Sequence, residues 1–266
     1  MPIAHLPDDL TMYYEHDDFT DPWEEAKTVI LHHGNAKNSQ LWYAWVPLLA
    51  GTYRVIRPDA RGFGQSSVPA PGYAWSLEGF ATDLAHLMDH LGIDKAHLIG
   101  ETIGGTIALQ FAHQFPDRLH SITTCTSPYT FKGIQTYLDF YKLVREQGVE
   151  TWVRRTAARR LEPGKSHPKH SAWYVQQMSQ TAQHVVLDTL AYLATVDLTP
   201  VLPQITTPAL IMVGGRSTGD IPGRARQMAA LLPHATLVEV PGASGYVQHS
   251  APAQCVALWK EFVAGL

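Results

Sequence analysis

The chain has 266 residues with a formal net charge of −4, and it is 45% apolar and 17% charged. This length and composition suit one large α/β domain with a substantial core, which excludes intrinsic disorder. The lack of a dominant basic block excludes nucleic-acid binding, and no apolar run approaches the 18 residues of a membrane span.

Short runs of apolar and β-branched residues recur along the chain, each ending near a Gly, Pro or Asp. Continuous runs of this kind are typical of strands buried on both faces of a parallel sheet. Helical patterns separate them, and this alternation predicts right-handed crossovers and a doubly wound sheet. The predicted strands are Thr28–Leu31, Tyr53–Arg57, Ala96–Ile99, Ser121–Thr124, Ala209–Val213 and Thr236–Val240. The predicted core helices are Leu77–Leu91, Gly104–His113, Pro222–Leu232 and Ala253–Leu266.

The alternation stops between Tyr129 and Pro203, where helical patterns follow one another without strands. We expect a helical lid over residues 129–203, inserted into a core formed by residues 1–128 and 204–266. Its Arg154-Arg155 and Arg159-Arg160 pairs are either a solvated helix face or an anion site, and the solvated face is favoured. The predicted lid helices are Ile134–Val144, Val149–Arg160, His170–Gln180 and Gln183–Thr195.

The most informative motif is the stretch Leu98-Ile-Gly-Glu-Thr-Ile-Gly-Gly105, which follows a predicted strand and opens a predicted helix. Its Gly100–Thr102–Gly104 spacing matches the G-x-S-x-G nucleophile elbow, with Thr in place of Ser. Further motifs follow the same family order. They are Leu31-His-His-Gly-Asn35, Asp59-Ala-Arg-Gly-Phe-Gly-Gln-Ser66, Pro208–Gly214 and Pro241-Gly-Ala-Ser-Gly-Tyr246.

In order and spacing these motifs resemble the α/β-hydrolase family, from about residue 25 to the last residue. The resemblance is to the small lidded branch that includes enol-lactonases, carbon–carbon hydrolases and hydroxynitrile lyases. It implies an α/β fold with a doubly wound, mostly parallel eight-stranded sheet and a lid inserted after strand six. It also implies a cofactor-independent enzyme that acts on a small carbonyl-type substrate.

The resemblance places Thr102, Ser217 and Gly245 where the family carries its nucleophile, acid and base. A triad works because His removes the nucleophile's proton while an acid holds the imidazole. General-base assistance is worth about 10²–10⁴ in rate, so attack by an unassisted Thr102 hydroxyl is expected to be slow. The elbow also holds its central residue at positive φ, which costs a β-branched residue on the order of 1–3 kcal/mol.

The predicted oxyanion hole consists of the backbone N–H groups of Asn35 and Ile103, and it does not depend on the triad side chains. Each such donor is worth roughly 10²–10³ in some enzymes. An anion-stabilising pocket without acyl-transfer machinery suits lyase, decarboxylase or isomerase chemistry, or hydrolysis of an activated lactone. It equally suits a catalytically silent binding protein, such as a pseudoenzyme or receptor.

Two residues are candidates for a relocated base and acid, which would restore a hydrolase. His249 lies four residues after Gly245 on a predicted helix, so both would face the same side one turn apart. Asp220 lies three residues after Ser217. Its carboxylate either replaces the acid or caps the helix that begins near Pro222, and capping is favoured.

Other residues are candidates for substrate contact. His33 either contacts substrate or fixes the oxyanion loop, and Glu101 either lines the pocket floor or transfers a proton. Aromatic and Met residues of the lid are mostly core, but their inner face also forms the pocket roof. The substrate-binding candidates are His33, Glu101, Tyr129, Trp173, Met178 and Tyr246.

His86 and His90 are spaced i,i+4, but they lie on a predicted surface helix. No other His or Cys spacing typical of zinc sites and no phosphate-binding loop is found, so no metal or cofactor is expected. The expected partner is a small molecule, with no nucleic acid and no membrane, and a homodimer stays open. The first residues lack a basic region followed by an apolar stretch, which predicts a cytoplasmic protein. Cys125 and Cys255 lie in apolar runs and are expected to be buried thiols.

Overall fold

The computed structural model describes residues 2–162, 167–243 and 245–266. Its strands are β1 (Ile3–Leu6), β2 (Leu10–Asp17), β3 (Thr28–His32), β4 (Arg54–Pro58), β5 (Ala96–Glu101), β6 (Leu119–Cys125), β7 (Ala209–Gly214) and β8 (Ala235–Val240). They form one sheet in the order β1-β2-β4-β3-β5-β6-β7-β8. Strand β2 pairs antiparallel with β1 and β4, and the other pairs are parallel. The predicted eight-stranded, mostly parallel sheet is confirmed.

Helices follow most of the strands. They are α1 (Val46–Leu49), α2 (Leu77–His90), α3 (Ile103–Gln114), α4 (Gln135–Arg160), α5 (Pro168–Ser179), α6 (Gln183–Leu193), α7 (Ile221–Leu231), α8 (Val247–Ser250) and α9 (Pro252–Ala264). Helices α4, α5 and α6 lie between β6 and β7, and together they form what we call the inserted segment. None of the helices in the described residues is both long and apolar enough to cross a membrane.

The two faces of the sheet carry separate apolar layers. In β3, Ile30 packs with α2, α3 and α7, while Val29 and Leu31 pack on the opposite face with α1 and α9. Successive side chains of a strand point to opposite faces, and here both faces are covered. This explains why the central strands appear in the sequence as unbroken apolar runs.

The apolar runs alone do not reveal the first two strands. Strands β1 and β2 form a hairpin with Leu6 opposite Leu10. Its turn passes through Asp8 (φ 56°) and Asp9 (φ 54°), and type I′ hairpin turns need positive φ at both central residues. In β1 at the sheet edge, exposed and buried residues alternate, so no continuous apolar run marks it.

Helix α4 joins the first two predicted lid helices across a break. The break is Gly148, at φ 81° and ψ 168°, a conformation that glycine adopts at little cost. The helix ends at Arg160, which is only 4% exposed. The interpretation as a solvated face is therefore wrong for Arg160, although Arg154 and Arg159 are exposed as expected.

The inserted segment has its own apolar core, which also includes residues that follow strand β3. Trp152 of α4 and Tyr174 and Met178 of α5 are buried together with Ala36 and Leu41, which follow β3. The segment therefore packs over the loop that leaves the carboxyl end of β3. Ligands of open α/β sheets bind at this edge.

Candidate active site

Thr102 forms the sharp turn between β5 and α3. Its backbone lies at φ 51° and ψ −118°, a region that β-branched residues rarely adopt. Its N–H donates to the Cys125 carbonyl at 3.1 Å, and its own carbonyl accepts from Gly105 N–H at 3.1 Å. A side chain at Gly100 would overlap the backbone of Gly104. The turn is thus held in the strained form, which costs on the order of 1–3 kcal/mol.

The Thr102 hydroxyl points toward the loop after β3. A Cβ added at Gly34 would overlap Thr102 Oγ1, so the two residues are in close contact. Within the described ranges Oγ1 makes no hydrogen bond, and the nearby imidazoles of His33 and His249 bond to other groups. Neither imidazole is hydrogen-bonded to the Thr102 hydroxyl in this arrangement.

Two backbone amides beside this hydroxyl have no acceptor. The N–H groups of Asn35 and Ile103 make no hydrogen bond to any residue the structure describes. Asn35 follows Gly34 directly, and Ile103 is the first residue of α3. The first N–H groups of a helix lack partners and carry partial positive charge. The site therefore offers donors for a negatively charged oxygen.

His33 holds the loop that carries Asn35. Its Nδ1 donates to the Gly34 carbonyl at 2.7 Å, and its Nε2 accepts from Ala60 N–H at 2.9 Å. Burial lowers the pKa of His33 to about 4, so the ring is neutral at pH 7. Both nitrogens are occupied by backbone groups, which matches the loop-fixing alternative. Substrate contact by His33 stays a prediction.

A buried polar cluster lies beside the elbow, and we call it the Glu101 cluster. Glu101 Oε2 accepts from Lys37 Nζ and from Gln248 Nε2 at 2.5 Å, and it lies 2.9 Å from His249 Nε2. Lys37 Nζ also lies 3.1 Å from His249 Nε2. The side chains of Lys37, Glu101 and His249 are at most 4% exposed. Glu101 and His249 were separate candidates in the sequence, whereas Lys37, two residues after Asn35, was missed.

The charges in the cluster follow from burial and pairing. Burial by itself would raise the pKa of Glu101, but Lys37 and His249 hold it well below its usual range. Burial lowers the pKa of Lys37 to about 8 despite the opposing effect of Glu101. Burial also lowers the pKa of His249, again opposed by Glu101. At neutral pH the cluster therefore holds an anionic Glu101, a cationic Lys37 and a neutral His249.

His249 Nε2 lies between an acceptor and a donor, 2.9 Å from Glu101 Oε2 and 3.1 Å from Lys37 Nζ. A neutral imidazole that donates from Nε2 to Glu101 leaves Nδ1 as the basic nitrogen. No hydrogen bond of Nδ1 is found within the described ranges. A carboxylate behind an imidazole is the arrangement by which enzymes orient a general base.

Tyrosine rings enclose the cluster. The Tyr174 ring of α5 lies 5.3 Å from the His249 ring, edge to face, and 5.9 Å from Lys37 Nζ. The Tyr246 ring lies 5.1 Å from Lys37 Nζ, within the range of a cation–π contact. The inserted segment therefore covers the cluster through Tyr174.

Gly245 is closed to any side chain. Its backbone lies at φ 54°, and an added Cβ would lie 2.7 Å from the Arg159 carbonyl oxygen of α4. Helix α8 begins only at Val247, so the expected helical turn from Gly245 to His249 is absent. His249 instead reaches Glu101 from inside a short helix.

The predicted acid region does not join the Glu101 cluster. Ser217 Oγ is buried without a hydrogen-bond partner in the described chain. Asp220 precedes α7, but its side chain makes no capping bond and instead accepts from Arg224 Nε at 2.7 Å. The capping expectation is therefore wrong. No contact in the described residues links Asp220 to Glu101, and its role as a relocated acid stays a prediction.

The remaining candidates lie in other contacts. Tyr129 donates from its hydroxyl to Gln227 at 3.1 Å. Trp173 packs edge to face on Tyr43 at 5.3 Å, and Met178 is buried in the core of the inserted segment. The structure brings Glu101, Tyr246 and His249 together. Among the described residues, no hydrogen bond or ring contact links Tyr129, Trp173 or Met178 to that group. Their assignment to substrate binding stays a prediction.

No group of three His, Cys, Asp or Glu side chains in the described part of the chain could hold a metal ion.

The fold and elbow agree with the family comparison. The family described as "alpha/beta hydrolase fold" matches residues 27–252, and the chain belongs to that family. It is similar to 3-oxoadipate enol-lactonase 2 of Acinetobacter baylyi, at 25% identity over 89% of each chain. It is also similar to the putative carbamate hydrolase RutD of Stutzerimonas stutzeri, at 27% identity over 91% of this chain and 93% of the relative.

A solved structure shows the same fold. The enol-lactonase from Burkholderia xenovorans LB400 superposes with a TM-score of 0.89 at 22% identity, over 99% of this chain and all of the other. At this identity the likeness concerns the fold alone. The relatives named above carry the names of hydrolases.

Proposed function

We propose that the protein is a cofactor-independent hydrolase of a small activated carbonyl compound, such as a lactone or enol ester, in which water is the nucleophile. The observation that carries this proposal is the buried Glu101–His249 pair beside the unoccupied amides of Asn35 and Ile103. The names of the curated relatives, an enol-lactonase and a putative carbamate hydrolase, support hydrolysis as the reaction type.

The proposed step needs no acyl-enzyme. His249 Nδ1 takes a proton from water, and the hydroxide adds to the carbonyl carbon. The resulting oxyanion is held by the N–H groups of Asn35 and Ile103. The carbon–oxygen bond of the lactone or ester then breaks, and the imidazolium returns its proton to the leaving oxygen. Glu101 holds the imidazole in one tautomer and stabilises its charged form, while Lys37 keeps Glu101 ionised.

The substrate must be activated because the proposed site lacks a side-chain nucleophile that forms an acyl-enzyme. A general base contributes about 10²–10⁴ and an oxyanion donor roughly 10²–10³. These effects are sufficient for a compound whose leaving group is a stabilised enolate or phenolate. The strained Thr102 turn then serves to aim the Ile103 amide, and the inserted segment acts as a lid through Tyr174.

A second candidate is lyase, decarboxylase or isomerase chemistry, which also passes through an enolate or alkoxide. The same two unoccupied amides favour it, because they stabilise that anion whatever step produces it. The two readings differ in whether water enters the product. Product analysis in ¹⁸O-labelled water separates them.

The test is a substrate panel of enol-lactones, aryl esters and β-keto acids, measured on wild type, Thr102→Ala, His249→Gln and Glu101→Gln. We expect Thr102→Ala to keep kcat within about threefold. His249→Gln should lose about 10²-fold or more, because the general base is removed. His234→Gln is the matched control, because the His234 imidazole is exposed. Its kcat should equal that of wild type.

Two outcomes contradict the proposal. A serine-directed phosphonate that forms a stable adduct on Thr102, together with an inactive Thr102→Ala variant, would make that hydroxyl the nucleophile. Absence of turnover across the panel, with a small molecule retained through purification, would support the silent binding protein.

A further inference from the structure

Arg160, at the end of α4, is a buried cation that has no anionic partner among the described residues. It is 4% exposed. Its Nη1 donates to Thr156 Oγ1, and its guanidinium carbon lies 4.9 Å from the Trp152 ring centroid. No carboxylate in the described chain lies within 4.0 Å of its nitrogens, and Nε and Nη2 have no hydrogen-bond acceptor there.

The other buried arginines of the described chain are paired. Arg57 contacts Asp17 at 2.8 Å, and Arg61 contacts Asp83 at 2.7 Å through a two-pronged bond. Burial of an uncompensated charge costs several kcal/mol. Arg160 is therefore the buried arginine for which the described residues provide no counter-ion, and its free Nε–Nη2 edge has the shape that accepts a carboxylate.

Arg160 lies close to the Glu101 cluster. The carbonyl of the preceding residue, Arg159, contacts Gly245. Burial chiefly lowers the pKa of Lys37, and the positive charge of Arg160 lowers it further. Arg160 also opposes the increase that burial causes in the pKa of Tyr174. The Tyr174 hydroxyl is buried and has no hydrogen-bond partner among the described residues.

The charge of this region is unbalanced. Lys37 and Arg160 each contribute a positive charge, Glu101 contributes one negative charge, and His249 is neutral at pH 7. These four side chains together therefore carry an excess of one positive charge. A ligand with one negative charge neutralises this excess. A neutral ligand leaves it unchanged, and a phosphate dianion makes the net charge negative.

We propose that Arg160 binds a carboxylate group of the substrate through its Nε and Nη2 atoms, with the Tyr174 hydroxyl as a further donor. The substrate of the proposed hydrolase is then an activated lactone or ester that also carries a free carboxylate. The inference rests on the proposed function for the reaction alone. Binding of the carboxylate can be measured without turnover.

The test uses isothermal titration calorimetry of the full chain with 4-oxopentanoate, its primary amide 4-oxopentanamide, and inorganic phosphate. We expect wild type to bind the acid at least about tenfold more tightly than the amide or phosphate. Arg160→Met should lose this preference, because it keeps the apolar stem and removes the charge. Arg159→Met, the exposed neighbour, is the matched control and should retain it.

Arg160→Lys serves as a second variant, since it keeps the charge but lacks the two-pronged edge. We expect it to bind the acid with intermediate affinity, and thermal unfolding shows whether each variant is folded. The inference would be overturned if wild type bound acid and amide equally, did not bind the acid, or bound phosphate more tightly. It would also be overturned if Arg160→Met kept the preference for the acid. Binding of the acid by an inactive protein would support it and refute only the proposed hydrolysis, because His249→Gln should still bind the acid.

Discussion

Removal of the ammonium group of Lys37 tests whether the Glu101 cluster is held together by charge. Glu101 is fully buried, and its Oε2 atom accepts from Lys37 and Gln248 and lies 2.9 Å from His249 Nε2. Loss of one partner of a buried ion pair typically costs 3–5 kcal/mol, because the other charge stays buried without compensation. We therefore expect Lys37→Met to lose about 3–5 kcal/mol of unfolding free energy at pH 7.5.

The loss should depend on pH in a defined direction. Burial and the charge of Lys37 both lower the His249 pKa, so removal of Lys37 raises that pKa toward the usual value of about 6.5. A histidine pKa that is lowered in the folded state costs stability as the pH falls below 6.5, and this cost is smaller in the variant than in wild type. Lys37→Met should therefore lose about 1–2 kcal/mol less at pH 5.5 than at pH 7.5.

Urea unfolding followed by tryptophan fluorescence measures these differences. The double variant Lys37→Met, Glu101→Gln removes both charges, so its loss should be several kcal/mol smaller than the sum of the single losses. The exposed Lys260→Met is the matched control and should lie within about 0.5 kcal/mol of wild type. Additive losses, or a Lys37→Met variant as stable as wild type, would refute a charge-held cluster.

Three further predictions concern stability. Thr102→Gly removes the backbone strain of a β-branched residue at φ 51°. After the glycine entropy cost of about 0.5–1 kcal/mol, we expect a net increase of about 1 kcal/mol in the free energy of urea unfolding. A decrease would show that the turn is not strained. Gly245→Ala should lose about 2 kcal/mol more stability in thermal unfolding than Gly242→Ala. Both glycines have positive φ, but only a Cβ at residue 245 would overlap the Arg159 carbonyl oxygen. Equal losses would mean that α4 moves away. Burial lowers the pKa of His97 to about 4, so the unfolded chain binds more protons between about pH 6.5 and 4. Stability should therefore fall by about 2 kcal/mol per such histidine from pH 8 to pH 5, and His97→Phe should flatten the curve by that amount. Parallel curves of the variant and wild type would contradict this.

The central sheet and the elbow could be predicted because their signals are local. Unbroken apolar runs mark strands covered on both faces, and the Gly100–Thr102–Gly104 spacing marks the turn. The β1–β2 hairpin gave no such signal, since exposed and buried residues alternate in β1 at the sheet edge.

The candidate site was predictable only in part because its contacts are not local. His249 and Lys37 are 212 positions apart in the sequence, and no spacing rule connects them. Arg160 belongs to a charged stretch that reads as a helix surface. Only the break at Gly148 and the packing of the inserted segment turn this residue inward.

The contact between Gly245 and the Arg159 carbonyl has a consequence for the descent of this protein. If a single codon change introduced a larger residue at position 245, its side chain would collide with the main chain of Arg159. Such a change becomes tolerable only in a lineage in which the end of α4 has already shifted or shortened. The two segments are therefore expected to diversify together, and homologues with a bulky residue at this position should differ in the length or course of that helix.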